Sequence, residues 1–338
     1  MARQVTNAEL INALLGSEYG DRIPTATKDN LTDVAEKILA YAPAKNSLLE
    51  ALYNKIALTI IDSMEFSNPF DRFRRADINY GDTLEDIFVD IPEGYEYNSK
   101  DENPFAQVQP DVKALYHTIN KQLQYEQTIH DPEFRRALRS PYGLDSLVTR
   151  IVNTLRVASN YDDFLIGKQI LSNEDVYGKI VYLGARTGDK AVDGKKLLEA
   201  IKTAGSGMKF PSREFNQQKV MDNTPMNRQV LFITANDKNI IDLDVLAGLY
   251  NLDKADITQQ TIELDNFNTE DNTIACALVD ERFLNFHYAL QDGGLIYNPK
   301  ALATNHFWNS WSINTASLFK NAVMFKFEEK PEEVGDLD

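Results

Sequence analysis

Two glycine-containing stretches are the parts of the chain whose residue types could hold a phosphate. They are GARTGDK at 184–190 and AGSGMK at 204–209. A phosphate-binding loop needs two glycines with four residues between them, then Lys and a Ser or Thr, so that backbone N–H groups, an ammonium and a hydroxyl converge. Neither stretch has that spacing, and no hydroxyl follows Lys190 or Lys209. The sequence therefore predicts ordinary loops or turns at both places.

Histidines and cysteines could bind a metal or act as nucleophiles if their spacing were suitable. The histidines are His117, His130, His287 and His306, and none lies four residues from another. There is no His-Glu-x-x-His or Cys-x-x-Cys pattern, so a zinc site would need ligands from distant segments. The single cysteine, Cys276, lies in the apolar run TIACALVD and is expected to be a buried thiol. We expect no metal, no cofactor and no catalytic residue.

Paired carboxylates leave one enzymatic alternative open. Asp242 and Asp244 could serve a metal-dependent phosphoester enzyme, because carboxylate oxygens hold divalent metals. Asp and Glu together number 51, however, so close acidic pairs arise often without any site. Solvated faces and salt bridges are the favoured interpretation of such pairs.

The charge and the apolar runs exclude two classes of partner. The 338 residues carry 51 acidic and 35 basic side chains, which gives a formal net charge of −16. Broad binding of phosphates requires a clustered positive surface, which this balance argues against.

The first residues, MARQVTNAEL, lack the apolar core of a secretory signal, and the run IALTIID is far shorter than the ~20 apolar residues of a membrane span. We expect no membrane partner.

The sharpest basic cluster is Asp71-Arg72-Phe73-Arg74-Arg75. Arginine pairs with carboxylates through two parallel hydrogen bonds, and acidic residues follow soon after in the strand-like segment 83–91. We predict charge pairs between subunits here; salt bridges within the chain and nucleic-acid binding remain the alternatives. The predicted interface residues are Arg72, Arg74, Arg75, Glu85, Asp86 and Asp90.

The elements that must position these residues are mixed. Apolar spacing predicts helices over 7–16, 30–42, 47–64 and 144–171, the last a rod of roughly 40 Å. Segment 83–91 alternates like a strand, with Asp86 and Phe88 on one side and Ile87 and Val89 on the other. A polar, turn-rich stretch follows at 92–110, and segment 111–128 is ambiguous between strand and helix. Further helices are predicted at 131–137, 193–204 and 242–251, and strands at 178–183, 230–234, 261–267, 273–279, 283–288 and 322–327. Helix and strand lack regular βαβ alternation, so the predicted class is α+β.

Six segments, in this order, resemble the major capsid protein of short-tailed bacteriophages of the phi-twenty-nine type. Each is weak alone, but together they span most of 30–327. They are NPFDRFRRADINYGDTLEDIFVDI (68–91), DVKALYHTINKQLQYEQTIHD (111–131), IDLDVLAGLYNLDKADI (241–257), VDERFL (279–284), NPKAL (298–302) and the stretch 311–325.

The resemblance implies the tailed-phage major capsid fold of the HK-ninety-seven type. The domains expected from it are an N-terminal arm (1–77, mostly helical), an extended loop (78–130), a peripheral domain with the spine helix (131–177), an axial domain (178–303), a return to the peripheral domain (304–327) and an acidic tail (328–338). Some relatives carry a C-terminal immunoglobulin-like domain, and none is expected here, since the chain ends about ten residues past Phe327.

The function that the resemblance implies is assembly, without enzymatic activity. The chain would form hexamers and pentamers of an icosahedral shell that encloses double-stranded DNA without sequence-specific binding, which an acidic wall suits. Its partners would be further copies of itself, a portal protein and a scaffold protein. It would be made in the host bacterial cytoplasm and end in the virion. Another structural protein of the virion is the second alternative.

Overall fold

A computed structural model describes residues 7–15, 23–27, 30–41, 43–45, 47–48, 66–78, 83–92, 94, 109–132, 136, 143–241, 260–267 and 273–330. The chain divides into two compact units. The first comprises Met1–Asn68, Lys121–Asp163 and Leu290–Trp311; the second comprises Pro69–Asn120, Phe164–Ala289 and Ser312–Asp338. Both units are therefore built from segments far apart in sequence.

Helices and strands alternate irregularly along the described residues. The helices are α1 (Asn7–Leu15), α2 (Leu31–Ala40), α3 (Gly143–Ser172), α4 (Lys190–Met208) and α5 (Ala235–Lys238). The strands are β1 (Thr83–Val89), β2 (Val112–Thr118), β3 (Lys121–His130), β4 (Lys179–Tyr182), β5 (Gln229–Thr234), β6 (Thr261–Leu264), β7 (Ile274–Asp280), β8 (Leu284–Asn298), β9 (Ala303–Ala316) and β10 (Ala322–Lys326). Short 3₁₀ turns lie at Pro69–Phe73, Glu174–Val176 and Met226–Arg228.

In the first unit, helices pack on one face of a sheet. Apolar residues three and four positions apart place Val34 and Ile38 of α2 on one buried face. They join Leu155 of α3, Ile129 of β3 and Trp308 of β9 in one apolar cluster. The strand order of this sheet is β3-β9-β8.

A buried ion pair ties β3 to α3 within the first unit. The Nζ of Lys121 donates to Asp163 at 2.8 Å and to the Ser159 carbonyl at 3.0 Å. The side chains of Lys121 and Asp163 are 1% and 2% exposed. Because these hydrogen bonds satisfy the buried ammonium, its loss of hydration is offset, and the start of β3 is fixed against the helix.

In the second unit, a five-stranded sheet of order β4-β10-β7-β5-β6 is covered on both faces. Strands β5, β7 and β10 are buried throughout, as expected of strands between two layers. Phe232 of β5 faces a cluster that contains Phe70 and Phe283, whereas Ile233 faces the cluster formed by α4. Strand β10 runs parallel to β4 and antiparallel to β7, so the sheet is mixed.

Most predicted elements are present with small changes of bounds. The helix predicted over 144–171 is α3, and the α+β class is confirmed. The ambiguous segment 111–128 forms strands β2 and β3. Segments 131–137, 47–64, 242–251 and the acidic tail lie wholly or mainly outside the described residues.

One strand was predicted too short, and another was missed. Strand β8 continues ten residues beyond Tyr288, because Gly293 and Gly294 lie within the strand and do not end it. Strand β9 was not predicted at all, since its Asn and Ser residues hide the alternation of a strand. Within the described residues, no helix has both the length and the apolar character required to cross a membrane.

His306 should make the first unit sensitive to acid. It is fully buried on β9, and neither ring nitrogen has a hydrogen-bond partner among the described residues. Burial lowers the pKa of His306 to about 4, below the ~6.5 of an unfolded histidine. Between about pH 4 and pH 6.5 the folded chain therefore binds fewer protons than the unfolded chain. The free energy of unfolding falls as the pH drops through this interval, by at most roughly 3 kcal/mol.

The measurement is the urea midpoint of the unassembled subunit from pH 7.5 to 4. We expect His306→Gln to reduce the slope of the urea midpoint against pH. His130→Gln, at an exposed position of β3, should keep the wild-type slope. Identical slopes for His306→Gln and the wild type would contradict this assignment.

Candidate assembly interface

Strands β1 and β2 form a two-stranded antiparallel hairpin with one covered and one exposed face. Thr83 pairs with Thr118 at one end and Val89 with Val112 at the other. Exposure alternates along both strands, because successive side chains point to opposite sides. The sequence predicted this sidedness for β1, with Asp86 and Phe88 on the side opposite to Ile87.

The covered face of the hairpin contacts residues 315–319 of the same unit. Ser317 donates its hydroxyl to Asp86 at 2.5 Å, and the ring of Phe88 stacks on Phe319 with centroids 5.6 Å apart. From β2, the Nδ1 of His117 lies 2.9 Å from the hydroxyl of Thr315. Directional hydrogen bonds and one aromatic stack therefore fix the orientation of the hairpin.

Asp90 anchors the far end of β1. Its carboxylate is buried, pairs with Arg213 at 3.0 Å and accepts from the Met221 amide at 3.4 Å. The Asp90 amide donates to the Asp111 carbonyl at 3.0 Å, which extends the ladder one step beyond the Val89–Val112 pair. A buried carboxylate is stable only when such partners replace water, so this residue holds the hairpin where it enters the polar stretch.

The exposed face of the hairpin is apolar, and we call it the outer hairpin patch. It comprises Ile87, Val89, Ile91, Val112 and Tyr116, all more than half exposed. At one end of the patch, Tyr116 donates its hydroxyl to Glu85 at 2.9 Å, which raises the pKa of the Tyr116 phenol. Exposed apolar side chains grouped on one face make this surface a candidate interaction site.

The basic cluster, residues 71–75, is held in place by buried phenylalanine rings and by the contacts of Arg74. Phe70 and Phe73 are buried and hold the turn Pro69–Phe73. Arg74 pairs with Asp71 at 3.1 Å, and its guanidinium lies 3.7 Å from the centroid of the Tyr288 ring. The backbone of Arg75 donates to the Phe286 carbonyl at 2.9 Å, so the cluster runs along the first half of β8.

The six residues predicted for interface charge pairs separate into two groups. Arg74, Asp86 and Asp90 have the contacts within the chain given above. Arg72, Arg75 and Glu85 are exposed, and they too have neighbours within the chain: Glu85 accepts from Tyr116, and the Arg75 guanidinium lies 3.5 Å from the Arg282 carbonyl. The roles of all six in a subunit interface stay predictions. Sequence reasoning missed the outer hairpin patch, although apolar residues on both sides of the β1 pattern were a signal that each face contacts something.

The two glycine-containing stretches have structural roles. Gly184 and Gly188 adopt φ of +76° and +82°, which suits turns that only glycine enters readily. Between them, Arg186 forms two hydrogen bonds with Asp237 at 2.7 and 3.0 Å, and these raise the pKa of Arg186. The second stretch, 204–209, lies at the end of helix α4 and at its cap. The guanidinium of Arg186 thus binds a carboxylate of the same unit.

The groups that could do chemistry are separated or buried. Cys276 is buried in β7, and burial raises the pKa of its thiol well above the usual range. In the part of the chain that the structure describes, no three His, Cys, Asp or Glu residues are grouped so as to hold a metal. Asp242 and Asp244, the carboxylates of the enzymatic alternative, lie outside the described residues.

Replacing Asp90 should loosen the hairpin without unfolding the sheet of the second unit. Asp90→Ala removes the partner of Arg213 and the acceptor of the Met221 amide, a loss of about 1–3 kcal/mol. We expect amide hydrogen exchange to accelerate about tenfold or more in β1 and β2, with little change in β5 and β7. Asp111→Ala, which changes an exposed side chain at the same end of the hairpin, is the control and should leave exchange near the wild-type rate. Unchanged exchange in Asp90→Ala would show that this anchor is not needed.

Comparison with known proteins finds relatives among phage major capsid proteins. The family model described as Phi29-like phage major capsid protein matches residues 8–326. The major capsid protein of Bacillus phage B103 is 28% identical over 327 residues, covering 94% of this chain and 72% of its own length. That of Streptococcus phage Cp-1 is 25% identical and covers 97% and 96% of the two chains.

Solved structures show the same fold. The match to the capsid structure of Staphylococcus phage Andhra has a TM-score of 0.61 at 13% identity, and covers 79% of this chain and 86% of the other. The capsid structure of the cyanophage P-SCSP1u gives a TM-score of 0.55 at 9% identity, covering 80% and 91%. The fold is that of the tailed-phage capsid proteins, the HK-ninety-seven-type α+β fold predicted from the sequence. With the family match extending over nearly the whole chain, this protein belongs to the Phi29-like phage major capsid protein family.

Proposed function

We propose that the chain assembles through the outer hairpin patch into hexamers and pentamers of an icosahedral shell around double-stranded DNA. The observation that carries this proposal is the apolar face of a hairpin whose other face is already anchored. A neighbouring copy covers this face, and about 25 cal/mol per Å² of apolar surface removed from water drives the contact. Many such contacts, repeated around closed rings, add to a stable shell although each is modest.

The charged residues next to the patch would select the neighbour and set its orientation. Arg72 and Arg75 are exposed on the basic cluster, and Glu85 is exposed beside Tyr116. In this proposal, those three side chains form pairs between copies, whereas Arg74, Asp86 and Asp90 act through the position of the hairpin and the cluster. Complementary charges at the rim of an interface contribute more to specificity and association rate than to affinity.

We also propose the remaining assignments, which rest on the resemblance to the family. The extended loop corresponds to 78–130, the peripheral domain to 131–177 with the return at 304–327, and the axial domain to 178–303. A portal and a scaffold protein are the expected partners, and the subunit passes from the host bacterial cytoplasm into the virion. The net charge of −16 supports enclosure of DNA without sequence-specific binding. The chain has no enzymatic role in this proposal.

A lysine in the outer hairpin patch should block assembly and leave the subunit folded. Val89→Lys places an ammonium where a neighbour would have to desolvate it, while the exposed position costs the isolated chain little. The control is Val192→Lys on α4, which replaces another exposed valine. Negative-stain electron microscopy and sedimentation, with a scaffold supplied, should show shells or rings for the wild type and for Val192→Lys only. Normal particles from Val89→Lys would overturn the role of the patch.

Charge reversal should weaken assembly in a manner that depends on salt. We expect Arg72→Glu with Arg75→Glu to raise the subunit concentration needed for assembly about tenfold at low salt, and less at high salt because exposed pairs are screened. Lys195→Glu with Lys196→Glu, both exposed on α4, changes the net charge equally and should assemble normally. Equal effects from the two double variants would show that net charge matters and that the two arginines have no specific pairing.

A further inference from the structure

Helix α4 has a side rich in lysine, opposite the side that packs on the sheet of the second unit. Leu197 and Ile201 form the buried side and belong to the apolar cluster that includes β10. Counting the cap residue of the helix, four lysines lie on the opposite side, which we call the lysine face: Lys195, Lys196, Lys202 and Lys209. Lys202 is half-buried and the other three are exposed. The acidic residues of the helix are Asp193, which is buried, and Glu199, so the lysine face is positive in a chain of net charge −16.

The charges of the lysine face are not neutralised by ion pairs. Lys179, Lys238 and Lys320, in the same unit, each pair with a carboxylate. None of the four lysines of the face forms such a pair among the described residues, although Asp and Glu outnumber Lys and Arg in the chain by 51 to 35. Clustered lysines attract any flexible or extended polyanion within reach.

The acidic segment that ends the printed sequence leaves the sheet beside the first turn of α4. The carbonyl of Glu328 accepts from the Gly184 amide at 3.2 Å, just beyond the last residue of β10. The loop from Gly184 leads directly into α4, and its Thr187 amide donates to the Asp193 carboxylate in the first turn at 3.2 Å. Residue 329 and those after it therefore start close to one end of the lysine face.

Segment 329–338 has the charge and the length to cover that face. It contains five carboxylates and one lysine: Glu329, Lys330, Glu332, Glu333, Asp336 and Asp338. Ten residues in extended conformation span at most roughly 33–36 Å. The 19 residues of α4 make a helix about 28 Å long, so the segment can reach from the first turn to the last.

We propose that residues 329–338 lie along the lysine face of α4 in the same chain and shield it from other polyanions. Exposed ion pairs are weak individually, but attachment at Glu328 gives the segment an effective concentration in the millimolar range. The shield would keep the phosphates of nucleic acid away from the one face of α4 that attracts them. This inference concerns a single chain and does not depend on the outer hairpin patch.

Carbodiimide crosslinking of the unassembled full chain tests the contact, because this reagent joins a carboxylate directly to a neighbouring amine. At low salt, we expect mass spectrometry to find Glu332 or Glu333 joined to Lys195 or Lys196. A mixture of isotopically light and heavy chains should show that the joined residues belong to one chain. The yield should fall at high salt, because exposed ion pairs are screened.

Lys219 is the control amine for this experiment. It is exposed, and it donates to the Gly178 carbonyl at 3.0 Å, at the opposite end of β4 from Gly184. Crosslinks that form only between light and heavy chains, or as often at Lys219 as at Lys195, would overturn the inference, and so would their absence. Shell formation does not enter this measurement, so the proposed function is tested separately.

Neutralising the segment should uncover the lysine face. With Glu332→Gln and Glu333→Gln together, we expect a short double-stranded DNA to bind about fivefold more tightly at low salt, because a competing polyanion is weakened. The matched control is Glu126→Gln with Asp292→Asn, two exposed residues of the first unit. It changes the net charge equally and should bind DNA as the wild type does.

A second pair of changes assigns the gain in DNA binding to α4. Adding Lys195→Gln and Lys196→Gln to the neutralised segment should remove that gain. Tight DNA binding by the wild type, equal to that of the neutralised variant, would identify nucleic acid as the partner of the lysine face. Equally weak binding by both would show that the face is covered by water alone. Either result would overturn the inference.

Discussion

A two-stranded hairpin has two faces and no interior, and this constraint organises the second unit. Such a ribbon is marginally stable in water unless one face is covered. The chain covers one face of β1 and β2 with residues 315–319 and with the ion pair between Asp90 and Arg213. Apolar side chains then remain on the other face, because alternation along a strand places them there. The outer hairpin patch is the surface that, in our proposal, a neighbouring copy covers.

The two faces use different interactions for different purposes. The anchored face depends on hydrogen bonds of defined geometry, such as that from Ser317 to Asp86, which fix direction. The outer face is mainly apolar, and apolar contact contributes affinity without fixing an angle. A shell subunit has to meet neighbours in rings of five and of six. A rigid base with a non-directional contact surface accommodates both environments more readily than an interface made only of hydrogen bonds.

The sequence predicted the elements whose patterns are local and missed those that depend on distant partners. Helix α3 and strand β5 have continuous apolar patterns, and both were predicted within a few residues. Strand β9 was missed because its inward side includes Ser310 and His306, which are buried but polar. The partners of Asp86 and Asp90 could not be predicted, since Ser317 and Arg213 lie 231 and more than 120 residues away and carry no pairing signal in the sequence. The fold was predicted from the resemblance to a family, whereas the partners of Asp86 and Asp90 are known only from the structure.

The hairpin and the residues that anchor it are synthesised at different times. Ser317 leaves the ribosome 231 residues after Asp86, and translation proceeds at about 5–20 residues per second, so the hairpin waits roughly 10–45 s for its anchor. Until then the contacts of residues 315–319 with the covered face are absent, although Arg213 is already available to Asp90. The covered face of the hairpin is therefore complete only after residues 315–319 have been synthesised, long after the hairpin itself.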